Sequence, residues 1–135
     1  FEALQPLISL SLAHDNGDIA LLAIQLLDTL KELLMGPNEK NQRYVLGTSF
    51  LAVCNRFFSS TCFVSLPDDA PKLKGTDMTS NDMRCFLKCA LIDACHAMLE
   101  GSASKESRFL AKVLDNFETR NLYAQVLEAG QVLGL

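Results

Sequence analysis

The stretch Leu33-Leu34-Met35-Gly36-Pro37-Asn38-Glu39-Lys40-Asn41-Gln42 decides how this chain folds. It lies between two long apolar-periodic segments and reads as a helix stop joined directly to a helix start. Gly36 can take the left-handed conformation that closes a helix. Pro37 cannot continue that helix, because it lacks an N–H and clashes with the preceding turn. Asn38 can cap the next helix through its side-chain oxygen. So short a turn predicts that the two helices form an antiparallel pair. Asn41 and Gln42 fall in the first turn of the second helix, close behind the cap. Their amides can donate to the free carbonyls at the end of the first helix, or to groups on an adjacent layer. The first role fastens the turn and the second fastens the module to its neighbour; the local geometry favours the first.

Upstream of the turn, the spacing predicts a helix over Ile19–Met35, capped by Asp18. Leu22, Leu26, Leu30 and Leu33 form its apolar stripe, broadened by Leu27 and Leu34. An earlier helix, from about Glu2 to His14, carries Leu4, Leu7, Ile8, Leu10 and Leu12, has Pro6 in its first turn and stops at Asn16-Gly17. Downstream, a helix is expected from Glu39 to Phe58 on the spacing of Tyr44, Leu46, Phe50, Leu51, Val53, Cys54, Phe57 and Phe58. A strand over Thr48–Val53 is the weaker alternative, because apolar positions continue at helical spacing on both sides.

Residues 59–80 stand apart. Pro67, Pro71, Gly75 and the acidic residues Asp68, Asp69, Asp77 and Asp82 read as a long loop, in which Cys62, Phe63, Val64 and Leu66 could pack locally or pair as a short strand. Thr79, Ser80, Asn81 and Asp82 offer caps for a fourth helix, Asp82–Leu99, ended by Gly101. Ser102 or Ser104 would cap a fifth helix to Phe117, and a sixth runs from Thr119 to Glu128, with Gly130 beyond. The fourth helix has two apolar sides. Met83, Phe86, Leu87, Ala90, Leu91, Ala94, Ala97 and Met98 make one broad face. Cys85, Cys89, Ile92 and His96 make a stripe opposite, with Asp82, Arg84, Lys88 and Asp93 between them. A helix apolar on two sides is expected to be packed on both, as in a middle layer of stacked helix pairs.

The predicted fold class is all-α: a single helical domain over residues 1–135, with about six helices in antiparallel pairs, an armadillo/HEAT-like α-solenoid fragment with a loop at 59–80. Composition agrees. The chain of 135 residues is 49% hydrophobic but only 7% aromatic, with no Trp, which describes an aliphatic helical core and not an aromatic-rich sandwich. The charged fraction of 21% is slightly low, which fits a surface partly covered by a neighbour. A net charge of −4 without a Lys/Arg cluster argues against nucleic acid. The longest apolar run, Ile19–Leu27, contains Gln25 and is too short for a bilayer, which needs about 20 apolar residues. The start at Phe1, without a signal-peptide pattern, reads as a fragment of something longer. No internal repeat is visible, so a solenoid here would have degenerate repeats.

No catalytic, cofactor or metal site is expected. Cys85, Cys89 and His96 share a helix face, but Cys85 and His96 are about 16 Å apart along the axis and cannot meet on one ion. Core packing is the expected role of these residues. Cys95 and His96 point about 100° apart, so they make no nucleophile pair. His14 is expected to cap a helix end. The odd set Cys54, Cys62, Cys85, Cys89 and Cys95 favours reduced thiols over a disulfide framework. The acidic residues of the loop do not match the EF-hand spacing.

The turn also carries a resemblance. Leu26-Leu27-Asp28-Thr29-Leu30 followed by Gly36-Pro37-Asn38-Glu39-Lys40-Asn41-Gln42 resembles the G-P-x-x-x-N-Q turn of the helical domain associated with the ryanodine and inositol trisphosphate receptor homology domains. Leu87–Glu100, ending in Ala97-Met98-Leu99-Glu100, with Glu106 in the segment after it, is similar to that family's helix of alternating small and large apolar residues ending in a Met-Glu or Leu-Glu step. Arg108–Val126 looks like the segment beyond. The likeness spans roughly Ile19 to Leu127 at low identity, and residues 59–80 depart from it. It implies a non-catalytic scaffold module of a calcium-release channel at the cytosolic face of the endoplasmic reticulum membrane. Its partners would be other domains of the same large protein and neighbouring subunits of a homotetramer. The ligand-binding site would lie elsewhere, since its basic cluster has no counterpart here. Structural residues of the turn and interface would be Gly36, Pro37, Asn38, Asn41 and Gln42. The competing expectation is an armadillo-like cytoplasmic adaptor in a cytoskeletal, ciliary or trafficking assembly.

Overall fold

The computed structural model of the chain describes residues 6, 16–36, 38–60, 71–100, 107–116 and 118–132. The predicted helix at Glu2–His14, apart from Pro6, lies outside the described residues, as do Pro37, Cys62, Phe63, Val64, Leu66 and the caps Ser102 and Ser104. All regular structure among the described residues is helical: α1 (Gly17–Leu34), α2 (Glu39–Leu46), α3 (Phe50–Ser60), α4 (Ser80–Met98), α5 (Ser107–Asn116) and α6 (Thr119–Val132).

Asn16, and not Asp18, caps α1. Its Oδ1 accepts from the N–H groups of Asp18 (3.0 Å) and Ile19 (3.2 Å), so the helix begins two residues before the expected start. Asp18 instead lies in the first turn, where its charge suits the positive end of the helix. Gly17 is buried because the segment leading into α4 crosses it. A Cβ there would sit 2.4 Å from Thr76 Cγ2 and 3.2 Å from the Lys74 carbonyl oxygen.

The buried face of α1 differs from the expected leucine stripe. Ala20, Ala23, Leu27, Leu30 and Leu34 are buried, whereas Leu22, Leu26 and Leu33 are 47, 43 and 55% exposed. The two alanines explain the rotation. α1 packs against α4 more extensively than any other helix pair packs, and α4 contributes Ala90, Ala94 and Ala97 to the same core. Small residues on both sides let the axes approach closely. Of the six leucines expected in the stripe, Leu27, Leu30 and Leu34 are buried, and the direction of Leu22, Leu26, Leu30 and Leu33 lies roughly 85° around the helix from the buried face.

α1 and α4 run parallel. Gly17, at the start of α1, touches Thr76, just before α4, and the two C-terminal ends share one hydrogen-bonding side chain, Gln42. The best-packed pair is therefore not the antiparallel neighbour pair expected from the turn.

The single helix predicted over Glu39–Phe58 is two helices, broken at Gly47-Thr48-Ser49, and the strand alternative at Thr48–Val53 falls to α3. Thr48 makes the break. Its Oγ1 donates to the Val45 carbonyl at 2.6 Å and accepts from the Phe50 N–H at 3.3 Å, so the hydroxyl closes one helix and opens the next. The break is needed for burial. In one continuous helix the face holding Gln42, Val45 and Leu46 would lie roughly 110° from the mean direction of Phe50, Leu51, Val53, Cys54, Phe57 and Phe58. Reorienting the chain between them puts both sets in the core.

Residues 71–79 are part of the packed structure. Leu73 is buried, and its N–H donates to the Met78 carbonyl at 2.7 Å. Thr79 caps α4 with a reciprocal box: its Oγ1 accepts from the Asp82 N–H (3.2 Å), and Asp82 Oδ2 accepts from the Thr79 N–H (2.8 Å). α4 thus begins at Ser80, two residues before the predicted start. The Thr79 backbone and hydroxyl hydrogen bonds hold the Asp82 carboxyl below its ordinary value. A lowered folded-state pKa contributes stability above the unfolded value near 3.8 and loses it as pH falls through the folded value. Because Asp82 is exposed, the expected effect is small. Between pH 5 and pH 2, as ordinary approximate carboxylate limits, Asp82→Asn should lose slightly less stability than the parent, measured by urea unfolding. An identical pH slope in the two proteins would contradict this role for the carboxylate.

On α4 the predicted broad face is buried except for Phe86, which is 52% exposed. The opposite stripe of Cys85, Cys89, Ile92 and His96 is exposed and is not packed within the described residues. Lys88, expected between the faces, is buried and pairs with Glu128 on α6. α6 continues through Gly130, which was expected to lie beyond its end. It is seated on α3 by Gln125, whose Nε2 donates to the Phe58 carbonyl at 3.1 Å. Just before α6, the Glu118 N–H donates to Asn55 Oδ1 at 3.0 Å.

Candidate functional site

The Leu33–Gln42 turn and the end of α4 form one site. A helix leaves its last carbonyls without intrahelical donors, and here two such ends lie side by side. Met35 extends away from α1 and Gly36 follows at φ +76°, the left-handed region. Nothing approaches within 4 Å of a Cβ placed on Gly36, so its backbone conformation, and not crowding, makes glycine suitable.

Asn38 precedes α2 but makes no side-chain cap bond to it. Its Nδ2 turns back and donates to the Leu33 carbonyl at 2.9 Å, as does Asn41 Nδ2, also at 2.9 Å. Two asparagine amides therefore share one orphan oxygen of α1. This corrects the expected role of Asn38: it closes the helix before it instead of capping the helix after it.

Gln42 is fully buried. Its Nε2 donates to the Leu34 carbonyl (3.0 Å) at the end of α1 and to the Ala97 (3.2 Å) and Glu100 (2.5 Å) carbonyls at the end of α4, with Gly36 O at 3.4 Å. The two helix termini carry partial negative charge of the same sign. A neutral NH₂ group set between them is the positive end of an amide dipole and offers two hydrogens to both. Gln42 Oε1 is buried with no hydrogen-bond partner. The orientation of the amide is thus governed by the carbonyls around its nitrogen. The sequence had allowed Asn41 and Gln42 either the turn or an adjacent layer. Asn41 serves the turn, and Gln42 serves the turn and also the end of α4 within this chain.

An open cleft of about 190 Å³ borders the site, lined by Lys31, Met35, Asp93, His96, Ala97 and Glu100. It is smaller than the roughly 300 Å³ at which small-molecule sites begin. His96 Nδ1 and Glu100 Oε1 are 3.7 Å apart but exposed, a pairing worth little. Among the described residues no group of three or more His, Cys, Asp or Glu side chains could hold a metal ion. The core role expected for Cys85, Cys89 and His96 is overturned: all three are on the surface. Partial desolvation of the Cys89 sulfur and the neighbouring Cys85 raise the Cys89 thiol above its ordinary value, the opposite of an activated nucleophile.

Two features escaped the sequence reading. One is the buried Lys88–Glu128 pair; the other is the contact of Cys54 with Cys95. Each joins residues about 40 positions apart and leaves no local signal. No helix among the described residues is long and apolar enough to cross a membrane. Comparison with family models, curated proteins and solved structures finds no match to this chain.

Proposed function

We propose that this chain is a non-catalytic helical scaffold module of a calcium-release channel of the inositol trisphosphate or ryanodine receptor type. It would belong to an armadillo-like solenoid at the cytosolic face of the endoplasmic reticulum membrane and pass domain movement towards the pore. The observation that carries the reading is Gln42. The last residue of the G-P-x-x-x-N-Q turn is wholly buried and holds the ends of two parallel helices. In a solenoid, helices at equivalent positions of successive repeats lie parallel, and a clamp between them makes neighbouring layers move together. The exposed leucines of α1 and the exposed stripe of α4 offer apolar surface to further layers or to neighbouring subunits.

The test uses the full-length protein in calcium-loaded reticulum vesicles, with inositol trisphosphate and ryanodine as separate probes. One of them should evoke release, and Gln42→Leu should reduce that release at least about fivefold while ligand affinity changes less. Full-length protein that is membrane-free and supports no calcium flux would overturn the channel reading in favour of a cytoplasmic adaptor. Unchanged release from the Gln42 variant would overturn the relay role.

A further inference from the structure

Cys54 on α3 and Cys95 on α4 are 41 residues apart in sequence, yet their Sγ atoms lie 3.7 Å apart, within hydrogen-bond reach of each other. Both are free thiols. Cys54 is sealed in the core, whereas Cys95 is half-buried and packed against the core's edge. We propose that this pair is an oxidation site at which a peroxide-class oxidant forms an interhelical disulfide, tying α3 to α4. This inference stands apart from the channel reading, because it needs only the two helices.

The chemistry balances in two steps. Cys95 is reached first, since part of it meets solvent. Its sulfur attacks hydrogen peroxide, the O–O bond breaks, and Cys95 sulfenic acid and one water form. The Cys54 sulfur then attacks the Cys95 sulfur. The S–S bond forms, the S–O bond breaks, and the departing hydroxide takes the Cys54 proton as a second water. Two thiols and one peroxide thus become one disulfide and two waters. The hydrogen bond with Cys95 and burial raise the Cys54 thiol well above its ordinary value, which disfavours direct attack of Cys54 on the oxidant and leaves it as the resolving partner. Bonding requires the sulfurs to close from 3.7 Å to about 2.05 Å, drawing α3 and α4 together. Cys95 lies two residues before Ala97, whose carbonyl Gln42 holds, so the new bond would stiffen α4 close to the clamp.

The Cys89→Ser variant of the full chain makes the test unambiguous, because trypsin leaves Cys89 and Cys95 on one peptide and Cys89 is exposed. After hydrogen peroxide treatment, mass spectrometry should find the peptide 44–56 joined to the peptide 89–105, lighter by two hydrogens. The melting temperature should rise by about 5 °C or more and return on adding dithiothreitol. Adding Cys95→Ser, or separately Cys54→Ser, should remove both the linked peptide and the rise; either double variant suffices if the other does not fold. Free Cys54 and Cys95 under conditions that fully oxidise Cys85 would overturn the proposal. So would Cys95 proceeding to sulfinic acid without a link.

Discussion

Gln42→Glu should destabilise the protein by about 4 kcal/mol at neutral pH, the largest expected effect of a single-atom-group exchange in this chain. The glutamate is nearly the same size, so packing changes little. Its charged form is acceptor-only. It would set a buried negative charge among the carbonyls of Leu34, Ala97 and Glu100, at the negative ends of two helices. Gln42→Leu should cost less, about 2–3 kcal/mol, because it strands the carbonyls but also removes the partnerless Oε1. Urea unfolding of the two variants checks the order. A Gln42→Glu protein as stable as the parent would mean that the carbonyls do not need this amide, and the clamp would lose its basis. Acidification should partly rescue Gln42→Glu, since the protonated carboxyl regains one donor.

The second large effect is at Lys88 and Glu128. Their side chains are only 7 and 19% exposed, and the ion pair joins α4 to α6. Glu128→Ala takes the carboxylate from a buried ammonium and should cost about 3 kcal/mol, at the low end for buried pairs because Glu128 keeps some contact with water. Removing both charges is different in kind. Lys88→Met with Glu128→Leu exchanges an ion pair for apolar contacts and should restore most of that loss. The test is a double-mutant cycle by chemical denaturation, with Lys88→Met and Glu128→Leu as the single variants. If the double variant were as unstable as the sum of the single ones, the two residues would not be coupled.

Much of the helical content was legible because it rests on local rules. The apolar periodicity of residues 19–34 and 83–98 placed α1 and α4 to within two residues. The misses at their starts came from choosing among adjacent polar residues, each able to cap: Asn16 beside Asp18, and Thr79 beside Asp82. The break at Thr48 was harder to read. Apolar residues continue across it, and only the direction of the core shows that one helix could not bury both sets. The exposed stripe on α1 has a similar origin. Leucines carry the stronger hydrophobic signal, but alanines are chosen where two helices come close, and closeness is not written in one helix alone.

The candidate site divides in the same way. Gly36 and Asn41 could be read from the turn, because the partner of Asn41 is a free carbonyl at the end of the preceding helix; Asn38 was expected to cap the following helix and instead donates to that same carbonyl. That Gln42 also reaches Ala97 and Glu100 required α4 to end beside α1, a parallel arrangement that no short connection imposes. Local chemistry by itself therefore determined that this chain is helical and turns sharply at Gly36. Tertiary packing alone decided which faces meet, that Lys88 is buried against Glu128, and that Cys54 touches Cys95. The reason is physical: helix formation and capping act over one or two turns, whereas burial depends on what the rest of the chain brings to the other side.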